Sequence, residues 1–63
     1  MSEPITAADK LDAVRRELAY RRRIYPRRVG FKKMTQANAD RQIALMEAIA
    51  ADYEELAARE RLI

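Results

Sequence analysis

Between residues 15 and 33 the chain carries nine basic side chains, Arg15, Arg16, Arg21, Arg22, Arg23, Arg27, Arg28, Lys32 and Lys33, against a single acid, Glu17. Seven of the nine are arginine. The planar guanidinium presents paired N–H donors to the two oxygens of a phosphate or carboxylate, and it gives up its hydration more readily than an ammonium does. Tyr20, Tyr25 and Phe31 are interleaved with these cations, and aromatic rings in such a setting can stack on nucleic-acid bases. The chemistry suited to this cluster is recognition of negative charge. The candidate partner-binding or phosphate-binding residues are Arg15, Arg16, Tyr20, Arg22, Arg23, Arg27, Arg28, Lys32 and Lys33.

A purely structural account of the same cluster carries comparable weight. Arginine is a good helix former, and cations near the C-terminal end of a helix suit its dipole. Asp40 and Glu47 could absorb part of the charge from a facing helix, and Tyr25 falls where a core residue is expected. The formal charge of +3 conceals strong segregation: residues 1–14 carry −2, residues 15–33 carry +8 and residues 34–63 carry −3.

Catalytic chemistry is poorly supplied. There is no histidine and no cysteine, and Ser2 is the one serine. Common zinc sites and Ser-His or Cys-His nucleophile pairs are therefore excluded. Asp40, Glu47, Asp52, Glu54 and Glu55 share one segment, but paired-carboxylate catalysis needs a concave pocket that raises one pKa, which 63 residues can hardly enclose. The expectation is a protein that is not an enzyme, with no cofactor and no metal site. No apolar run approaches the ~20 residues that span a bilayer, and the opening Met-Ser-Glu-Pro has the wrong polarity for an export signal. A soluble, cytoplasmic chain with no membrane partner is expected.

The elements that must position the cluster follow from periodicity. One glycine, two prolines and abundant Ala, Leu, Arg and Glu describe an all-α chain. Residues 1–5 read as a tail. Thr6 is a candidate N-cap with Asp9 three residues on, and Ala7, Leu11, Val14, Leu18 and Tyr25 form a narrow apolar stripe in which Arg21 occupies one position. Asp12–Arg16 and Glu17–Arg21 have the spacing of favourable i,i+4 pairs. Helix 1 is expected over residues 6–25, ended by Pro26, which lacks an N–H and disfavours α geometry at Tyr25. Residues 26–34 are the connection, with Gly30 as the expected turn residue and a single helical turn from Pro26 to Val29 as an open alternative.

Thr35 is the second candidate N-cap, and helix 2 is expected over residues 35–61. Its core stripe is read as Met46, Ile49, Tyr53, Leu56 and Ile63, widened by Ile43, Ala50 and Ala57, with Glu55–Arg59 as a further i,i+4 pair. A short connection makes the helices antiparallel neighbours, so the fold expected is a helical hairpin. Two stripes make a thin core, which points to a homodimer in the form of a four-helix bundle. The residues assigned to core or self-association are Leu11, Val14, Leu18, Ile43, Met46, Ile49, Tyr53 and Leu56.

Several segments go beyond composition. Val14-Arg15-Arg16-Glu17-Leu18-Ala19, Arg21-Arg22-Arg23-Ile24-Tyr25-Pro26-Arg27, Met34-Thr35-Gln36, Ala39-Asp40-Arg41-Gln42-Ile43-Ala44 and Met46-Glu47-Ala48-Ile49 together resemble a family of short helical proteins of tailed phages and prophages. The resemblance covers residues 10–56. It implies a non-catalytic protein acting in the host cell on a host protein or nucleoprotein complex, a description that includes anti-defence inhibitors of the anti-CRISPR type. Direct contact with the phosphate backbone of nucleic acid is the alternative reading, and a structural role in particle assembly the second.

Overall fold

The computed structural model describes residues 3–62. Two helices, α1 (Ala7–Gly30) and α2 (Gln36–Arg61), are joined by residues 31–35. The Ala7 amide meets Glu60, Arg15 meets Glu54 and Arg22 meets Glu47. One helix therefore descends as the other rises, and the fold is an all-α antiparallel hairpin. By the usual rise the helices are about 36 and 39 Å long, and the molecule extends 47 × 25 × 12 Å.

Both helices contribute a seam of alternating four- and three-residue steps, the spacing of a two-stranded helical interface. On α1 these positions are Ala7, Leu11, Val14, Leu18, Arg21 and Tyr25; on α2 they are Ala39, Ile43, Met46, Ala50, Tyr53 and Ala57. Ala7, Leu11, Leu18, Tyr25, Ala39, Ala50 and Ala57 are buried, while Val14, Ile43, Met46 and Tyr53 are half-buried. Ala7, Leu11, Ala50 and Ala57 form one cluster with Val14 and Tyr53 packed on it.

This corrects the reading of α2. Ile49 and Leu56 were expected at the centre of its stripe and are instead 39% and 43% exposed, while Ala50 and Ala57 sit in the seam. The reason is steric. Leu11 and Leu18 project from α1, and small residues opposite them let the helices approach. Ile63 lies outside the described residues.

The boundary of helix 1 is also corrected. It was expected to end at Tyr25, with residues 26–34 as the connection, yet α1 runs through Pro26 to Gly30. Tyr25 continues the seam and is buried, and the five further residues of helix bring Arg28 beside its ring. Pro26 is exposed, and on that outer surface water can replace the amide it lacks. Gly30 is the last helical residue, without positive φ. The left-handed position is Lys32, with φ 59°. Around it the Lys32 amide donates to the Val29 carbonyl at 3.0 Å and the Lys33 amide to the Arg28 carbonyl at 2.8 Å. That is the Schellman pattern, closed here by a lysine where glycine usually stands.

The helix starts are capped as their spacing implies. The Thr6 hydroxyl accepts from the Asp9 amide and the Asp9 carboxylate accepts from the Thr6 amide, both at 3.1 Å. The Thr35 hydroxyl accepts from the Asn38 amide at 3.1 Å. A cap that the sequence reading missed joins the two ends of the chain: the Ala7 amide donates to both Glu60 carboxylate oxygens, at 3.1 and 3.2 Å. A carboxylate from the last turn of α2 thus sits at the positive end of α1.

Five stability outcomes follow, all measurable by urea unfolding followed by circular dichroism. Leu18→Ala should cost roughly 2–4 kcal/mol and Ala50→Leu about 1–3 kcal/mol by overpacking. Ile49→Ala should cost the monomer, at low micromolar concentration, under ~1 kcal/mol because that side chain lies outside the seam. In the loop, Lys32→Gly should stabilise by about 1 kcal/mol by relieving a left-handed lysine. Gly30→Ala should add ~0.5–1 kcal/mol, since apart from its chain neighbours and its own helical backbone no atom lies within 4 Å of the added methyl. A destabilised Lys32→Gly variant would refute the turn geometry.

Candidate anionic-partner interface

Directly opposite the seam, α1 carries Arg16, Tyr20, Arg23 and Arg27 at steps of four, three and four. All four are exposed. They form a straight ridge rising about 16 Å along the helix axis. Tyr20 is 42% exposed, and the Arg23 guanidinium lies 5.9 Å from its ring centroid. Arg16, Ala19, Tyr20 and Arg23 line one shallow depression on this face. Lys32 and Lys33, also exposed, follow the helix end in the loop.

The structure splits the nine-residue cluster by angle around the helix. Arg15 and Arg22, two of the candidate partner-binding residues, reach the facing arm: Arg15 Nη2 lies 2.9 Å from Glu54 and Arg22 Nη2 lies 2.8 Å from Glu47. Seven residues apart on α1, they repeat one cross-helix pair along one flank of the seam. Their side chains are half exposed, so each pair contributes little stability, of the order of 0.2–1 kcal/mol.

Arg21 has a different task. It lies in the seam, half-buried, with Nε 3.0 Å from Glu17 and Nη1 donating to the Gln42 carbonyl at 3.0 Å. Its guanidinium lies 5.8 Å from the Tyr25 ring centroid, and that of Arg28 lies 5.7 Å from it. Both cations therefore add to the packing of Tyr25. The Glu17–Arg21 and Glu55–Arg59 pairs form as their spacing implies, the latter at 2.6 Å. Asp12 and Arg16 do not pair. Asp40 accepts from Gln36 Nε2 at 2.8 Å and draws no charge from the cluster.

After these pairings, Arg16, Arg23, Arg27, Arg28, Lys32 and Lys33 have no carboxylate within 4.0 Å among the described residues. Five of these, all but Arg28, stand on the ridge or in the loop beyond it, free of the Tyr25 packing. Of the nine candidates, Arg16, Tyr20, Arg23, Arg27, Lys32 and Lys33 are thus the ones without a cross-helix ion pair or a place against Tyr25. The signal that would have sorted them in the sequence is the acidic register of α2. Glu47 and Glu54, seven apart, match Arg22 and Arg15 across an antiparallel seam.

Among the described residues no helix is long and apolar enough to cross a membrane. Comparison with known proteins finds no matching family model, no matching curated protein and no matching solved structure, so the interface is read from its own geometry.

Glu47→Gln with Glu54→Gln should leave helix content intact and lower stability by under ~1 kcal/mol for each broken pair. The loss should shrink further in high salt. A salt-insensitive loss larger than that would show the two pairs to be structural.

Proposed function

We propose that the chain is a non-catalytic binding module that docks its arginine ridge on a negatively charged protein or nucleoprotein surface. The observation carrying this reading is the set of unpaired cations at Arg16, Arg23, Arg27, Lys32 and Lys33. The hairpin supplies carboxylates to Arg15 and Arg22 and, among the described residues, places none within 4.0 Å of these five. Like charges concentrated on one face repel one another and cost stability, a cost that a docked anionic surface removes. The ridge is convex and rigid, with its donors on a helix rather than a loop, which suits a groove or flat patch more than a small ligand.

The resemblance to short phage proteins supplies a setting, in which such a module inhibits a host complex by covering a charged working surface, as anti-defence inhibitors do. A second reading, direct binding to nucleic-acid backbone, is favoured by one observation. Tyr20 is exposed between Arg16 and Arg23, where a ring can stack while the cations contact phosphate.

Arg23→Glu with Arg27→Glu should abolish capture of partners from host-cell lysate while leaving the circular dichroism spectrum unchanged. Arg23→Lys with Arg27→Lys should lose part of the binding if the contacts are bidentate. Undiminished capture by the reversed pair would exclude the ridge. Salt separates the readings. Affinity for a short DNA duplex should fall linearly in log salt, by about 0.9 per phosphate contacted, whereas a protein interface with an apolar centre changes little.

A further inference from the structure

We propose that α2 carries a second interface, the stripe Leu45, Ile49 and Leu56, and that its occupant is a second copy of this chain packed antiparallel. The hairpin seam consumes Leu11, Val14, Leu18, Met46 and Tyr53, so these do not build the dimer. Leu45, Ile49 and Leu56 remain 40%, 39% and 43% exposed. On a wheel of 100° per residue they lie within about 40° of one another and about 100° from the centre of the seam. They occupy the flank of α2 opposite Glu47 and Glu54, away from the ion pairs with α1.

Surface area argues for a partner of comparable size. The chain exposes 5240 Å², against about 4,200 Å² for a compact monomer of 7.3 kDa. Its radius of gyration is 14.7 Å, against about 11 Å for a compact domain of this length. The surplus of roughly 1,000 Å² is comparable with the ~800 Å² that each partner contributes to a standard interface.

Charge selects the occupant and its direction. The half of the hairpin next to the loop, residues 19–48, holds eight basic and two acidic side chains, net +6. The open half, residues 3–18 and 49–62, holds five basic and eight acidic side chains, net −3. An antiparallel pair sets each +6 half beside the −3 half of the other copy, whereas a parallel pair would set +6 against +6. Centred between Ile49 and Asp52, the antiparallel pair places Leu45 beside Leu56 of the second copy and Asp52 beside its Ile49. Asp52 is the one charge in this contact, and it weakens the association. With α2 at the centre, both arginine ridges stay exposed at opposite ends, and the dimer is a bivalent binder.

Sedimentation equilibrium on the full chain tests the surface. The parent should dimerise, and more weakly as salt rises. Ile49→Asp should abolish the dimer with helix content retained. Asp52→Leu should tighten it at least about tenfold, since an apolar side chain replaces a charge at a buried contact. The chain has no cysteine, so Leu45→Cys mixed with Leu56→Cys reports direction: disulfides should form between the two variants faster than within either. The proposal is overturned if parent and Asp52→Leu both stay monomeric up to about 1 mM. It is equally overturned if Ile49→Asp still dimerises, or if same-position disulfides form first.

Discussion

A two-helix hairpin has one seam to bury, and the rest of this molecule depends on how closely its helices approach along it. Ala39, Ala50 and Ala57 on α2 set that distance. They let Leu11, Leu18 and Tyr25 of α1 reach burial without a third layer of structure. A larger residue at Ala50 would hold the helices apart and lengthen every cross-helix contact beside it. The Arg15–Glu54 and Arg22–Glu47 pairs, the Arg21 bond to the Gln42 carbonyl and the Glu60 cap on Ala7 all require that separation. None is strong alone, and together they fix the register that the alanines permit.

The same seam decides what the arginines do. Six arginines lie within residues 15–27, and their angular position around α1 separates three fates. The one in the seam, Arg21, is satisfied by a carbonyl, a carboxylate and an aromatic face. Those at its edge, Arg15 and Arg22, reach carboxylates on the facing helix. Those on the far side, Arg16, Arg23 and Arg27, have no carboxylate within 4.0 Å among the described residues. A cluster that is uniform in sequence becomes a set paired within the hairpin and a set without carboxylate partners.

Much of this was legible beforehand. Composition and period made the chain two helices, Thr6 and Thr35 marked their starts, and short spacing made them antiparallel. The stop at Pro26 misled because proline's local cost, about 3 kcal/mol in a helix interior, was weighed without the gain from burying Tyr25 one residue earlier. Gly30 misled likewise. A permissive residue marks where a turn is easy, whereas the turn falls beyond the end of the seam, at Lys32.

What the sequence by itself determined is the fold class, the capped helix starts, the charge segregation and the shortage of catalytic groups. Each follows from residue type or from spacing along a single helix. Only the tertiary structure decided which of the two apolar stripes of α2 meets α1, where α1 stops, and which arginines remain unpaired. These depend on distances between helices, and such distances are set by how side chains of different size interlock, a property of the pair that neither helix carries alone.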